Sequence, residues 1–365
     1  MVLAGMVTAL VALTSAVRVE VPLYYEQFGW VERAAPRHEP VSFTISLHQR
    51  NIPELKRRAI AVSTPGHPSY GAFLSNAELD KLTAPSPEVR TAIAAWLAEY
   101  NVHATFDREL VHCRAPVGVV SALLHTTFAL YQKDSKTLVR ASSGYSLPDH
   151  VAKHVATIFG LHGIPAPRPA KPTAAAPSVA KVTPAVLAST YSIGTPYVDR
   201  AGKGVQAVAE FQGQYMSKAD LETFFKAEVP AAQPGDEQVS KFVGVPYKEG
   251  TGVEALLDIE FIMGVAPGVK TEFWEWPESD FCGDLHNYTA TMLAAAAPPL
   301  SNSISYGWQG DLAQLHCQPA DLDVVDTNWA KLAAKGISIM ISSGDSGSGY
   351  VGPTRDPNPP NMAHL

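Results

Sequence analysis

The chain has 365 residues, 46% hydrophobic and 17% charged, enough for two or three domains with sizeable cores. A mean hydropathy near zero with 13 Phe, 13 Tyr and 6 Trp excludes a wholly disordered chain, and a formal net charge of −7 excludes a generic nucleic-acid binder. The charge is uneven: residues 1–180 hold 17 Lys and Arg against 13 Asp and Glu (+4) with nine of the 12 His, whereas residues 181–365 hold 11 against 22 (−11), so the two halves are expected to attract near neutral pH.

Residues 2–17 form an uncharged apolar run, shorter than the roughly 20 residues a membrane span needs. Thr14 and Ala16 have the size and spacing of a signal-peptidase site. Residues 1–16 are therefore expected to be a signal peptide cleaved after Ala16, although a buried N-terminal helix has the same composition. No other run is long enough to span, so no transmembrane helix is expected. Residues 17–163 read as a compact α+β unit. Val41–Leu47 alternates as a half-buried strand does; Pro53–Val62 and Ser86–Tyr100 read as helices with Pro in the first turn; Leu110–Ala115 and Thr137–Ala141 read as strands. In the second helix Ser86 is the expected N-cap, and Ile93, Trp96 and Leu97 share a face. Pro148–Phe159 is expected to close the unit as a helix.

Residues 164–184 carry Pro at 165, 167, 169, 172 and 177, the composition of an extended, protease-accessible linker. Beyond it, in residues 185–365, strands (Val205–Phe211, Lys241–Val245, Val269–Trp276, Ser301–Tyr306, Ile337–Ser342) alternate with helices (Ser217–Ala227, Val253–Met263, Leu322–Ala334). Apolar strands alternating with helices predict an α/β domain with a parallel sheet covered on both faces, whose active groups gather beyond the carboxyl ends of the strands.

Two segments carry chemistry. The helix from Val253 is apolar nearly all round and is expected to be buried, yet it places Glu254 and Asp258 one turn apart on one face. Burial and like charge make ionising both costly. The pair is expected either to share a proton, as acid-working enzymes arrange, or to be split between a basic partner and water. Ser342–Gly349 follows an apolar strand with three glycines and Asp345, at a carboxyl end where catalytic groups belong. A chymotrypsin-like reading of Gly-Asp-Ser-Gly, with Ser346 as nucleophile, fails on fold and on the lack of a supported His among His286, His316 and His364. Of the cysteines, Cys282 and Cys317 are able to pair in an oxidising compartment and leave Cys113 alone, or all three stay free; none has zinc-site spacing. Asn287-Tyr288-Thr289 is a glycosylation sequon. Phe273-Trp274-Glu275-Trp276 and Tyr306 suit either a substrate cleft or the core.

Taken in register, these segments resemble the sedolisin family of serine-carboxyl peptidases. Pro68-Ser69-Tyr70-Gly71-Ala72-Phe73-Leu74 and the Pro85-Ser86-Pro87 helix with Trp96-Leu97 are similar to the family's activation domain. Val182-Thr183-Pro184 and Tyr191 resemble the start of its mature enzyme. Gly252–Asp258, Ser305-Tyr306-Gly307 and Ser343–Gly347 match three further motifs in order. The resemblance implies a subtilisin-like parallel sheet with flanking helices, incomplete here, preceded by an α+β activation domain that serves as inhibitor and chaperone. It implies an acid peptidase precursor that acts on peptide and protein substrates and releases N-terminal tripeptides, with no nucleic-acid partner, in the secretory pathway and then the lysosome, an acidic vacuole or the exterior. Glu254 would be the general base, Asp258 its orienting and proton-sharing partner, and Asp345 a protonated oxyanion donor. The family's nucleophile lies in a Gly-Thr-Ser motif beyond Ser-Gly-Asp, and its calcium ligands lie there too. The sequence contains no Gly-Thr-Ser, so the chain by itself is expected to be inactive, with calcium ligands expected beyond Leu365. A truncated homologue that binds peptides or regulates a full-length peptidase is the alternative expectation. Acidification is expected to charge the His of the first half, neutralise the acids opposite, and loosen the two halves.

Overall fold

A computed structural model describes residues 16–165, 181–193, 204–277, 280–308 and 311–344. Residues 1–15 of the expected signal peptide, residues 166–180 of the linker, and both Asp345 and Ser346 lie outside the described residues.

The first half runs β1 (Ala16–Val19), β2 (Val31–Ala34), β3 (Pro40–Leu47), α1 (Ile52–Ser63), α2 (Asn76–Thr83), α3 (Pro87–Glu99), β4 (His103–Asp107), β5 (Leu110–Pro116), α4 (Val117–Leu124), β6 (Phe128–Lys133), β7 (Lys136–Ala141), β8 (Tyr145–Pro148), α5 (Asp149–Ala152) and β9 (Val155–Phe159). Strands β4-β5-β3-β9 form an antiparallel sheet, β2-β6-β7 a second, and β1 pairs with β8. Along β3, Val41, Phe43 and Ile45 point inward, and α3 buries Ile93, Trp96 and Leu97 against them. Pro87 opens α3 as expected, but Ser86 makes no side-chain bond to the helix backbone. The helix expected over Pro148–Phe159 is not formed. Only Asp149–Ala152 is helical, and Val155–Phe159 adds an outer strand to β3, with Thr44 opposite Phe159 and Ile45 opposite Ile158. The β-branched Val155, Thr157 and Ile158 suit that pleated position.

The second half runs α6 (Pro184–Thr190), β10 (Val205–Glu210), α7 (Lys218–Glu228), β11 (Lys241–Gly244), α8 (Val253–Val265), β12 (Lys270–Glu275), α9 (Phe281–Ala294), β13 (Ser301–Ile304), α10 (Pro319–Ala334) and β14 (Ser338–Ile341). Its five described strands are all parallel, in the order β11-β12-β10-β13-β14. Val208 and Phe273 face α7 and α8, whereas Ala207, Ala209 and Trp274 face the other layer, which holds α9. This is the α/β parallel sheet with flanking helices, preceded by an α+β unit, that the sequence predicts. Phe273, Trp274 and Trp276 are core residues. Helix α9 is an element the sequence reading lacked, and Cys282 in its first turn is disulfide-bonded to Cys317, leaving Cys113 free and buried. No described helix is long and apolar enough to cross a membrane.

The halves share one core, in which Tyr25, Trp30 and Tyr131 of the first meet Trp276, Phe281 and Leu285 of the second. Helix α1 packs on α10. At the junction Lys331 Nζ donates to Glu109 Oε1 at 2.6 Å, with 4% and 8% of the two side chains exposed. Burial alone would raise the Glu109 carboxyl, but the Lys331 charge and hydrogen bond outweigh it and hold it below its ordinary range. The polarity of this pair opposes the bulk charges: the acid comes from the basic half and the cation from the acidic one. The exposed Lys56–Asp326 pair has the expected polarity, but exposed pairs contribute little. Bulk charge is therefore not what locks the junction.

Histidines at the junction also differ from expectation, since two of them belong to the second half. His316 Nε2 accepts the Tyr24 N–H at 2.7 Å, with the Tyr25 ring 4.2 Å away. His286 stacks on Phe159 at 4.1 Å. Burial, helped by the nearby His162 and Arg140, lowers His316 to about 3, and burial lowers His286 to about 4. An unfolded His titrates near ~6.5. The stabilisation from keeping His316 neutral is thus complete above that value and lost as pH falls toward about 3. For His316→Gln, whose side-chain carbonyl accepts the same N–H without ionising, the loss of unfolding free energy between neutrality and about pH 4 is expected to shrink by on the order of 3 kcal/mol relative to the unaltered chain. Urea titrations at the two pH values check this; an unchanged difference would show that His316 does not sense acid.

Candidate functional site

Helix α8 starts hard against the loop after β10. A Cβ at Gly252 would lie 3.0 Å from both Gln214 Cα and Tyr215 N, and 2.4 Å from Gln214 Oε1, so the absence of a side chain sets how closely the helix approaches the central strand. The helix buries Ala255, Ile259 and Met263, but it is not buried all round: Val253 is 69% and Leu257 47% exposed. The apolar character on that face is displayed at the surface beside the acids.

Glu254 and Asp258 lie half-buried on α8, one turn apart. Asp258 meets neither Lys nor Arg. Its Oδ1 accepts from Ser305 Oγ at 2.8 Å, just past β13, and its carboxyl lies beside that of Glu210. Glu210 ends the central strand β10 and is wholly buried; the sequence reading had missed it. Glu210 Oε2 accepts the Tyr306 hydroxyl at 2.8 Å. The two carboxyl oxygens left, Glu210 Oε1 and Asp258 Oδ2, are buried and have no hydrogen-bond partner among the described residues. Two acceptors satisfy each other only if one carries a proton.

Burial comes first among the causes that push Glu210 well above the usual carboxylate range, followed by the charge of Asp258. Asp258 is also raised by burial, while its bonds from Ser305 and Glu210 pull it back down. Of the two, Glu210 is the one that burial and the neighbouring charge most favour protonated; a proton there would let Glu210 donate to Asp258 while Tyr306 donates to Glu210 and Ser305 to Asp258. Tyr306 is 6% exposed; it is neither a simple core residue nor a surface contact but a donor to this pair. Asp258 lies one helical turn from Glu254, an arrangement suited to holding or moving a proton at Glu254.

Two further groups share this edge of the sheet. Glu275 ends β12 in register with Glu210, is 3% exposed, and is pushed up to about 8 by burial against the opposing charge of Lys248. Strand β14 lies beside β13 and ends at the same carboxyl edge, and the segment after it leads to Asp345, which is outside the described residues. His286 and His316 are engaged at the junction with Phe159 and Tyr24, so the described residues place no His base beside the acids. Among the described residues no cluster of three or more His, Cys, Asp or Glu is arranged to hold a metal ion, and Asp258 Oδ1 and Glu210 Oε2 each already accept from a hydroxyl. These residues do not fit the calcium that the resemblance implies.

The chain is similar in sequence to known proteins. Residues 29–163 match the family described as the pro-kumamolisin activation domain. The chain is 27% identical to physarolisin of Physarum polycephalum over 332 residues, covering 87% of this chain and 56% of the relative. It is 30% identical to tripeptidyl-peptidase 1 of Bos taurus over 342 residues and 27% identical to that of Homo sapiens over 338, covering 88% of this chain and 59% of the relative in each case. The chain thus spans rather more than half the length of these relatives.

The proton on Glu210 has a measurable consequence. Its raised value favours the folded state in acid, a contribution lost as pH rises through the carboxylate range and beyond. Glu210→Gln keeps a donor for Asp258 and an acceptor for Tyr306 but does not ionise, so the fall in unfolding free energy from mildly acid to mildly alkaline pH is expected to be smaller than in the unaltered chain. Glu210→Ala strands both partners and is expected to cost about 3 kcal/mol at any pH in that range. Chemical denaturation of both variants across pH checks this; a Gln variant with an unaltered pH slope would place the proton elsewhere.

Proposed function

The chain belongs to the sedolisin family of serine-carboxyl peptidases, and on that premise we propose that it supplies the prosegment and the carboxyl machinery of an acid-acting peptidase. The observation that carries this reading is the wholly buried Glu210, accepting from Tyr306, set beside Asp258, which accepts from Ser305, one helical turn from Glu254 at the carboxyl edge of a parallel sheet. In the proposed reaction Glu254 takes the proton of a serine hydroxyl as its oxygen attacks the scissile carbonyl carbon. Asp258, held anionic by the proton on Glu210, orients Glu254 and stabilises its protonated form. Asp345, protonated in acid, donates to the oxyanion. The proton on Glu254 then goes to the leaving amine as the carbon–nitrogen bond breaks, and the same base activates water for release of the acyl group. A carboxyl group acts as an oxyanion donor only while neutral, which places the optimum in acid.

The matched relatives named tripeptidyl-peptidase 1 support N-terminal tripeptides as the product, and the disulfide Cys282–Cys317 supports passage through an oxidising, secretory compartment on the way to the lysosome, an acidic vacuole or the exterior. Residues 17–163 act as inhibitor and folding partner, and residues 164–184 are where they are released. The 365 residues contain no Gly-Thr-Ser, so the serine is proposed to come from sequence outside them, and the calcium ligands likewise.

The test is hydrolysis of a tripeptidyl fluorogenic substrate in acid. The 365-residue chain alone is expected to be inactive. The same chain continued through a Gly-Thr-Ser segment is expected to be active, and Glu254→Gln in that longer protein is expected to lower kcat by about 1000-fold or more, the scale of losing an essential base. Full activity in the Glu254→Gln protein would refute the mechanism.

A further inference from the structure

Asn287 is the one exposed residue between Asp280 and Thr289. The rest of that stretch, the first part of α9, is buried, with Leu285, His286, Tyr288 and Thr289 each 1% exposed or less. Asn287 opens onto a solvent-connected cavity of about 640 Å³ between α9 and the outer face of the first half's antiparallel sheet. The far wall is polar: Thr44 on β3, His103 and Thr105 on β4, and His112 and Arg114 on β5. Asp280 and Asp284 lie on the α9 side. A space of this size, within the range that holds small ligands, and lined with donors and acceptors, suits one or two sugar rings.

Asn287 also begins the only sequon in the chain, Asn287-Tyr288-Thr289. In the folded protein the Thr289 hydroxyl is inaccessible. It is 0% exposed, its Oγ1 donates to the His286 carbonyl at 2.9 Å, and it accepts from Asn328 Nδ2 at 2.9 Å. A transferase that must read Thr289 can do so only before α9 docks. A second, independent observation points to a compartment where that happens: Cys282, on the first turn of the same helix, is disulfide-bonded to Cys317, a bond that persists where the environment is oxidising.

We propose that Asn287 carries an N-linked glycan, added before the chain folds, whose first sugars lie in the cavity between the two halves. In the transfer, Asn287 Nδ2 attacks C1 of the N-acetylglucosamine of a polyprenyl-pyrophosphate-linked oligosaccharide. The N–C1 bond forms, the C1–oxygen bond to pyrophosphate breaks, the lipid pyrophosphate leaves, and one amide proton passes to base. Once folding closes the cavity, the sugar contacts α9 on one side and β4 and β5 on the other, so it bridges the junction between the two halves.

The test expresses the 365-residue chain behind a heterologous signal peptide in a eukaryotic secretory cell, with oxidation of Cys282 and Cys317 as the marker of entry. Peptide mass spectrometry is expected to find a glycan on Asn287 in the unaltered chain and in Thr289→Ser, and none in Asn287→Gln. A folded chain with the disulfide formed and Asn287 bare would overturn the proposal. The placement is read separately, by diethyl pyrocarbonate labelling at neutral pH. Modification of His103 and His112 is expected to be several-fold slower in the glycosylated chain than in Asn287→Gln, with His67, outside the cavity, unchanged. Equal rates at His103 and His112 would show that the sugar projects away from the junction.

Discussion

The site depends on a wholly buried carboxyl, Glu210, set beside the half-buried Asp258, where burial and like charge favour one proton between the two. Glu210 lies at the end of the central strand, with no room to ionise beside Asp258, and the Tyr306 hydroxyl already fills its second oxygen. Keeping that proton costs little in acid and removes the larger penalty of two adjacent buried anions. Asp258 also ties α8 to the sheet, accepting from Ser305 just past β13 and lying beside Glu210 at the end of β10. The orientation of Glu254 follows, since it sits one turn earlier on a helix fixed at Gly252 and again at Asp258.

A second constraint joins the two halves. Their contact is a shared apolar core crossed by the buried Lys331–Glu109 pair and bordered by neutral histidines. The groups at the junction favour opposite protonation. His316 and His286 resist charging, whereas Asp321, which accepts from Thr157 at 2.5 Å, is pushed up to about 7 by burial. Asp321 thus favours docking below neutrality and the histidines favour it above their unfolded values. The junction is strongest where the two ranges meet, near neutrality, and weakens in acid as the histidines are drawn to protonate. The opposite net charges of the halves are real but secondary, because the buried Lys331–Glu109 pair at the junction runs against them.

Much of this was legible in the sequence. Alternation in Val41–Leu47 and the apolar strands of the second half gave strands at the right places, and the spacing of Glu254 and Asp258 singled out α8, the helix on which Asp258 meets Ser305. What was illegible lies in tertiary placement. Val151, Val155 and Ile158 fall at helical spacing, yet β3 offered Val155–Phe159 an unpaired edge. Helix α9 was hidden because Gly283, Asn287, Thr289 and Thr291 are weak helix formers and burial on most sides leaves no polar stripe. Glu210 was missed because a lone Glu at the end of an apolar strand usually faces water; only the arrival of Asp258 and Tyr306 from distant segments makes it a site.

The central claim concerns the protonation of a single residue. Carbon-13 NMR of the Glu210 side-chain carboxyl, followed from acid to neutral pH and assigned with Glu210→Gln, tests it most directly. The account predicts a protonated carboxyl at neutral pH, with the change in Asp258 appearing first as pH rises. A Glu210 signal that titrates in the ordinary carboxylate range, independent of Asp258, would contradict it.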